Sequence, residues 1–291
     1  MYKSSNEEEG EMPRVTTAAL LRSAVARSCG VAALNVISLE HAEGIVGGAE
    51  RAAAPVILQI SANTVHFHGE KPAPLVHACI ALAEAAAVPI AVHLDHATSP
   101  ALCAEAIALG CSSVMFDGSN LEFSANVAAT ADVATAAHRA GAFVEAELGK
   151  VGGKDGVHDP GARTDPAEAV HFVANTGVDA LAVAVGTSHA MVEKRAELDF
   201  TLLERLRAAV PVPLVLHGSS GVAPDDLIRA VRAGIAKVNV GTELNVVFTR
   251  ALRATLVASD TADPRPALAA GRQAVSERTA ELVALINQAS R

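Results

Sequence analysis

The chain has 291 residues, of which 51% are apolar, 19% charged and only 3% aromatic, and its formal charge is -9. So acidic a chain, with so few rings for bases to stack on, argues against a nucleic-acid partner. No run reaches the roughly 18 uninterrupted apolar residues of a transmembrane helix. One large domain with an Ala, Val, Leu and Ile core fits the length and composition.

Met1–Pro13 is polar and acidic, the reverse of a signal-peptide n-region, and the first 15 residues are predicted to form a flexible tail before a single domain over 16–291. A helix is predicted from Thr16 or Thr17 to Ala26, then a strand over 31–36 that ends near Asn35, a helix over 40–54 and a strand over 55–61 that ends at Ser61. A loop carrying Asn63, His66 and His68 follows, then a helix from about Leu75 to Ala87. The next segment, PIAVHLDHA (Pro89–Ala97), begins as a buried strand and ends in His93, Asp95 and His96.

The alternation continues with a helix over 101–109, a strand over 111–116 that runs into Asp117, a helix over 123–139 and a strand over 142–148. A glycine-rich segment over 149–164 separates that strand from a helix over 166–176, which opens on Pro166 after Asp165. Strand 180–185, helix 200–209, strand 213–216, helix 224–233 and strand 235–240 complete the series, and two further helices fill 244–259 and 265–287. Eight strand–helix units in a domain of this size predict an α/β fold, a (β/α)₈ TIM barrel with a C-terminal helical extension. The four cysteines lack metal-ligand spacing and are predicted to be core thiols in a reducing cytoplasm.

Three strand ends carry a histidine: His96, His189 after LAVAVGTS, and His217 after PLVL. Their matching positions suit a common metal, and three neutral imidazoles with an open position favour Zn²⁺. Asp95 is the candidate proton carrier, the alternative being a carboxylate that orients a ligand ring. His93, two residues earlier, is read as a structural partner of that carboxylate. Asp117 and Glu147 are candidates for a second or alternative metal position. Glu145 shares a strand face with Glu147, and the competing reading pairs these acids with lysine or arginine inside the barrel. HGSSG and NVGTE after the seventh and eighth strands place Gly218, Ser219, Ser220 and Thr242 where barrels bind phosphate, with Asn239 toward the reacting carbons. Asn35, Ser61, Gly186 and Gly241 complete the candidate substrate- and phosphate-binding set. In the glycine-rich segment, Asp155 is the candidate for a second proton transfer. Lys237 is the only lysine at a strand end, which disfavours Schiff-base chemistry.

With these motifs, HLDHA (93–97), SVMFDGS (113–119), VEAELG (144–149), VGTSH (185–189), VLHGSSG (215–221) and KVNVGTE (237–243), the chain resembles the class II, metal-dependent fructose-bisphosphate and tagatose-bisphosphate aldolases from about Thr16 to Ile286. The resemblance implies Zn²⁺ on His96, His189 and His217, Asp95 as acid/base, and Asp117 and Glu147 at an alternative zinc position. It also implies phosphate at Gly218, Ser220, Asn239 and Thr242, a monovalent cation (Na⁺ or K⁺) nearby, a small sugar-phosphate substrate, and a homodimer or homotetramer. The chain departs from the family in having Lys154 and Asp155 where a glutamate is usual, in Ala190 after the second zinc histidine, and in ALNV before Asn35. A second phosphate needs a distant cation, for which Arg265 and Arg272 of the terminal helical region are candidates, within the chain or across a subunit boundary.

Overall fold

A computed structural model describes residues 14–148, 163–187, 193–194 and 196–288. Eight strands, β1 (Val31–Asn35), β2 (Val56–Ser61), β3 (Ile90–Ala97), β4 (Ser113–Phe116), β5 (Phe143–Leu148), β6 (Ala180–Val183), β7 (Leu214–Leu216) and β8 (Ile235–Val240), form a closed barrel in chain order. All neighbours are parallel, and β8 pairs back onto β1. The helices are α1 (Thr17–Ala26), α2 (Leu39–Arg51), α3 (Ala62–Phe67), α4 (Ala73–Ala85), α5 (Pro100–Ala108), α6 (Phe123–Arg139), α7 (Pro166–Thr176), α8 (Phe200–Ala209), α9 (Pro224–Arg232), α10 (Thr242–Ala258) and α11 (Arg265–Ile286).

Local chemistry starts and stops these elements where expected. Thr16, Ser99, Asp165 and Asp199 each accept a backbone N–H at a helix N-terminus. Pro100, Pro166 and Pro224 occupy first helical positions, where the missing N–H costs nothing. One element differs from expectation. The segment read as a loop after Ser61 contains α3, a single short helix started by the Ser61 hydroxyl accepting from the Thr64 N–H at 3.2 Å.

The strand side chains divide into two layers. Outward residues such as Leu34, Leu58, Ile90, Leu94, Val144 and Leu181 pack under the helices. Inward, a cluster of mostly small residues (Val31, Ala33, Ile57, Ala91, Ala180, Ala182 and Val215) is closed from below by Leu20 and Leu21 of α1. The barrel's grip on the chain begins at Arg14: Val15 donates to Ile90 O at 2.9 Å, and the Arg14 guanidinium reaches Glu84 at 2.9 Å and Gly110 O at 2.8 Å. Residues 1–13 of the expected tail lie outside the described residues. Beyond β8, α11 docks on α2 where Gly44 and Gly48 leave room; a Cβ at 48 would sit 2.5 Å from Ser276 O. All four cysteines are buried and free, and burial pushes the thiols of Cys79, Cys103 and Cys111 up to about 12. Among the described residues no helix is long and apolar enough to cross a membrane.

Two irregularities in the sheet re-aim side chains inside the barrel, one at the end of β3 and one near the start of β7 and β8. Between Leu94 and Ala97 the register of β3 on β4 shifts by one residue, and His96 takes φ 51°. Between Leu214 and Val215 the partner on β8 jumps from Ile235 to Lys237, so Ala236 is an extra residue. Each bulge turns a neighbouring pair of residues toward the barrel interior, which the alternation of a regular strand forbids.

Candidate active site

The β3 bulge resolves how adjacent residues serve one site. Ala91, His93 and Asp95 face inward by alternation, and the left-handed turn at His96 brings its ring to the same mouth. The His96 Nε2 is 3.7 Å from Asp95 Oδ2, and its Nδ1 is 3.1 Å from Asp117 Oδ2 at the end of β4. Asp117 is itself fixed by Ser119, whose backbone N–H and hydroxyl both donate to its Oδ1 at 3.1 and 2.6 Å.

His217, after β7, stands edge-on to His96 with ring centroids 4.8 Å apart. Its Nδ1 is 3.1 Å from Glu147 and its Nε2 3.0 Å from Glu145, and all three side chains are fully buried. The two glutamates therefore share a strand face, as period two requires, but they differ in partner. Glu145 forms an ion pair with the buried Lys237 at 2.8 Å, which realises the barrel-layer pairing for that residue. Glu147 lies with His96 and Asp117 in one group whose donor atoms are within 4.8 Å of one another; Asp95, His96 and His217 form a second such group. His189 and Asp155 lie outside the described residues.

These donors fit a divalent cation. Four buried carboxylates, Asp95, Asp117, Glu145 and Glu147, face one buried ammonium, Lys237. Excess negative charge of that kind is costly unless a cation or protonated imidazoles offset it. A neutral imidazole has a single N–H, so His217 can donate to only one of the two glutamates, and its other nitrogen has a lone pair to offer a cation. A third group, His93, Asp95 and Glu145, has the Lys237 ammonium already against Glu145, which removes the electrostatic need for an ion there.

A cavity of about 640 Å³ opens over this cluster. Asn35, Ser61, Asp95, His96, Asp117, Gly218, Ser219, Ser220, Asn239, Gly241 and Thr242, all expected from the sequence, line it. So do Gln59, Asn63, Thr64, Thr98, Asn120 and Asn245, none of which the sequence marked as a site residue; uncharged side chains carry no chemical signal of their own. Gly218, at φ 66°, starts a 3-10 turn over Ser219–Gly221, and Gly241 and Thr242 open α10 beside it. Both starts border the same cavity, and the first N–H groups of a helix have no partner within it. The Ser219 hydroxyl, by contrast, donates to Asn239 O at 2.5 Å and ties the β7 loop to β8. Gly186 is not among the lining residues; its φ of 108° and the Glu197 carbonyl, into which a Cβ would run, account for its glycine. Arg265 and Arg272 do not line the cavity either: Arg265 is held by Asp263 at 2.7 Å and Arg272 by Glu43 at 2.7 Å.

His93 is a structural residue. It bonds Ser113 Oγ at 2.7 Å, and Ser113 meets Thr17 of α1 at 2.6 Å. Burial, helped by the Lys237 charge, holds His93 well below the ordinary value of 6.5. His41, stacked on Phe248 at 4.3 Å, is also lowered, by burial against a smaller opposing pull from Glu40. A histidine whose folded pKa is lowered takes up its proton more readily when unfolded. Its contribution to stability is complete above the unfolded value and is lost as pH falls below it. Urea unfolding is therefore expected to show stability falling as pH drops below about 6.5, by up to about 1.4 kcal/mol per pH unit for each such histidine. His41→Met should flatten that limb; an unaltered slope would contradict it.

The comparisons agree with this geometry. The family model described as fructose-bisphosphate aldolase class-II matches residues 15–291. The chain is 38% identical to a fructose-bisphosphate aldolase of Thermus caldophilus, covering 90% of this chain and 94% of that protein. It is 37% identical to a probable fructose-bisphosphate aldolase of Bacillus subtilis (strain 168), covering 91% and 95%. Among solved structures, the YdjI aldolase of Escherichia coli K12 superposes with a TM-score of 0.81 at 32% identity, covering 94% of this chain and 96% of that one. A putative fructose-1,6-biphosphate aldolase of Coccidioides immitis gives 0.84 at 28% identity over the same shares.

Proposed function

The chain belongs to the class II fructose-bisphosphate aldolase family and is a metal-dependent carbon–carbon lyase of a ketose bisphosphate; we propose that its substrate is fructose 1,6-bisphosphate or tagatose 1,6-bisphosphate. The products are then dihydroxyacetone phosphate and glyceraldehyde 3-phosphate. The observation that carries this reading is the convergence of Asp95 and His96, which come from one bulge and line the cavity, with the buried His217 that follows β7.

In this proposal His96 and His217, with His189 as third donor, hold Zn²⁺. When bound, the ion supplies positive charge that polarises the substrate carbonyl. The phosphate next to that carbonyl binds at Gly218, Ser220, Gly241 and Thr242, where backbone N–H groups and the α10 start favour an anion without a basic side chain. Asn239 and Asn35 fix the hydroxyls between. Asp95, in its ionised form, takes the proton of the C4 hydroxyl. The C3–C4 bond breaks, its electron pair stays with the three-carbon fragment, and C4 leaves as the aldehyde. Asp155 returns a proton to the carbon that lost its partner. Asp117 and Glu147, at the Nδ1 atoms of His96 and His217, orient the two rings.

A cleavage assay with fructose and tagatose 1,6-bisphosphates, before and after chelation, tests the proposal. Turnover of one or both bisphosphates that chelation abolishes and zinc restores is the expected result. Activity that survives complete chelation would contradict it. A ketose 1-phosphate turned over with equal kcat/KM would show that the far phosphate is not recognised. That outcome would favour an aldolase of another phosphorylated ketose.

A further inference from the structure

We propose that Lys237 is a positioning residue that fixes, from behind the cavity, the donor and acceptor sense of three side-chain amides lining it. Lys237 is fully buried, and the β8 bulge at Ala236 is what turns it inward opposite Val215. Its ammonium donates to Gln59 Oε1 at 3.1 Å and to Asn239 Oδ1 at 2.8 Å, beside its ion pair with Glu145. An ammonium offers only donors. Both amides must therefore present oxygen to it and point nitrogen the other way. For Asn239 the other way is Asp95, whose Oδ1 accepts from Nδ2 at 3.3 Å. For Gln59 it is Asn35, whose Oδ1 accepts from Nε2 at 2.8 Å. Asn35, with its oxygen so engaged, keeps its Nδ2 as a donor on the side of Gly241.

A side-chain amide turned by 180° occupies nearly the same volume, so packing alone does not choose between its two senses. Charge does. Without the ammonium, Asn239 loses the contact that decides its orientation, and in the flipped sense its oxygen would face the Asp95 carboxylate. The same loss at Gln59 passes to Asn35. Asn35, Gln59 and Asn239 all line the cavity, so one buried charge determines whether the cavity wall offers N–H donors to an anionic, hydroxyl-rich substrate. The role also occupies the lysine that Schiff-base chemistry would require, since an ammonium paired with Glu145 has no free electron pair.

The inference rests on Asp95 as proton carrier and is tested separately from it. Lys237→Met alone would strand the buried Glu145, so the test variant is Lys237→Met with Glu145→Gln, which removes the charge pair together. With bound zinc and melting temperature matched to Glu145→Gln alone, kcat is expected to fall by about 10- to 100-fold relative to that single variant. In an Asn239→Ala background the same exchange should cost kcat under about threefold, because the amide that links Lys237 to Asp95 is gone. Equal losses in both backgrounds, or unchanged kcat in the first, would overturn the proposal. Gln59→Leu leaves every charge in place and supplies a second test should the double variant fail to fold. It is expected to raise KM about tenfold with a smaller change in kcat. An unchanged KM would remove Asn35 from the relay. Failure of the Asp95 reading would show instead as an active Asp95→Ala enzyme with all these variants unaffected.

Discussion

Asp95→Ala is expected to lower kcat by about 10²- to 10⁴-fold, the range for loss of a positioned acid/base group, while the protein still binds one equivalent of zinc. Asp95 is 1% exposed, yet it lies on the cavity wall, held by Asn239 on one oxygen and 3.7 Å from His96 Nε2 through the other. A carboxylate so placed accepts from Asn239 and borders the cavity, within reach of a substrate hydroxyl. Because Asp95 also shares a donor group with His96 and His217, direct ligation is the competing role. The two roles separate in one experiment, zinc content measured on the same preparation as kcat. Low turnover with full zinc assigns proton transfer, whereas low turnover with lost zinc assigns ligation.

His217→Ala is expected to abolish both metal binding and cleavage and to destabilise the protein. The imidazole stands between Glu145 and Glu147, all three fully buried, and its removal leaves carboxylates facing a hole. Leaving a buried polar group without its hydrogen-bond partner typically costs about 1–3 kcal/mol, and more for a charged one. His217→Gln keeps a hydrogen-bond donor and should recover part of the stability, but not the metal. Urea unfolding and zinc analysis on both variants check this, and wild-type zinc content in either would exclude His217 from the ligand set.

The barrel was legible because most strands are largely apolar segments bounded by Gly, Pro or polar residues, and most of the following helices repeat an apolar face, several with a capping residue or a first-turn proline. Those are local properties, so the elements from Phe123–Arg139, Pro166–Thr176 and Phe200–Ala209 have the bounds their sequences suggest. The short helix α3 was not legible, since it is one turn and a half rich in polar and β-branched residues, and a single cap decides it. The bulges were half visible. HLDHA shows that Asp95 and His96 must both be used, but only the backbone at His96, a non-glycine at φ 51°, shows how. Lys237 was hidden for a different reason. Its partner Glu145 is distant in the chain, and the inward turn comes from one extra residue on β8, which no period reveals. Arg265 and Arg272 illustrate the converse: within the chain these cations pair with Asp263 and Glu43 and stay away from the cavity, which residue type alone does not reveal.

A crystal of the protein grown with zinc, measured on both sides of the zinc absorption edge, tests the central claim most directly. The anomalous map should place one strong peak about 2.0–2.1 Å from a ring nitrogen of His96 and of His217, at the floor of the cavity. A map whose zinc lies away from both rings would contradict the account.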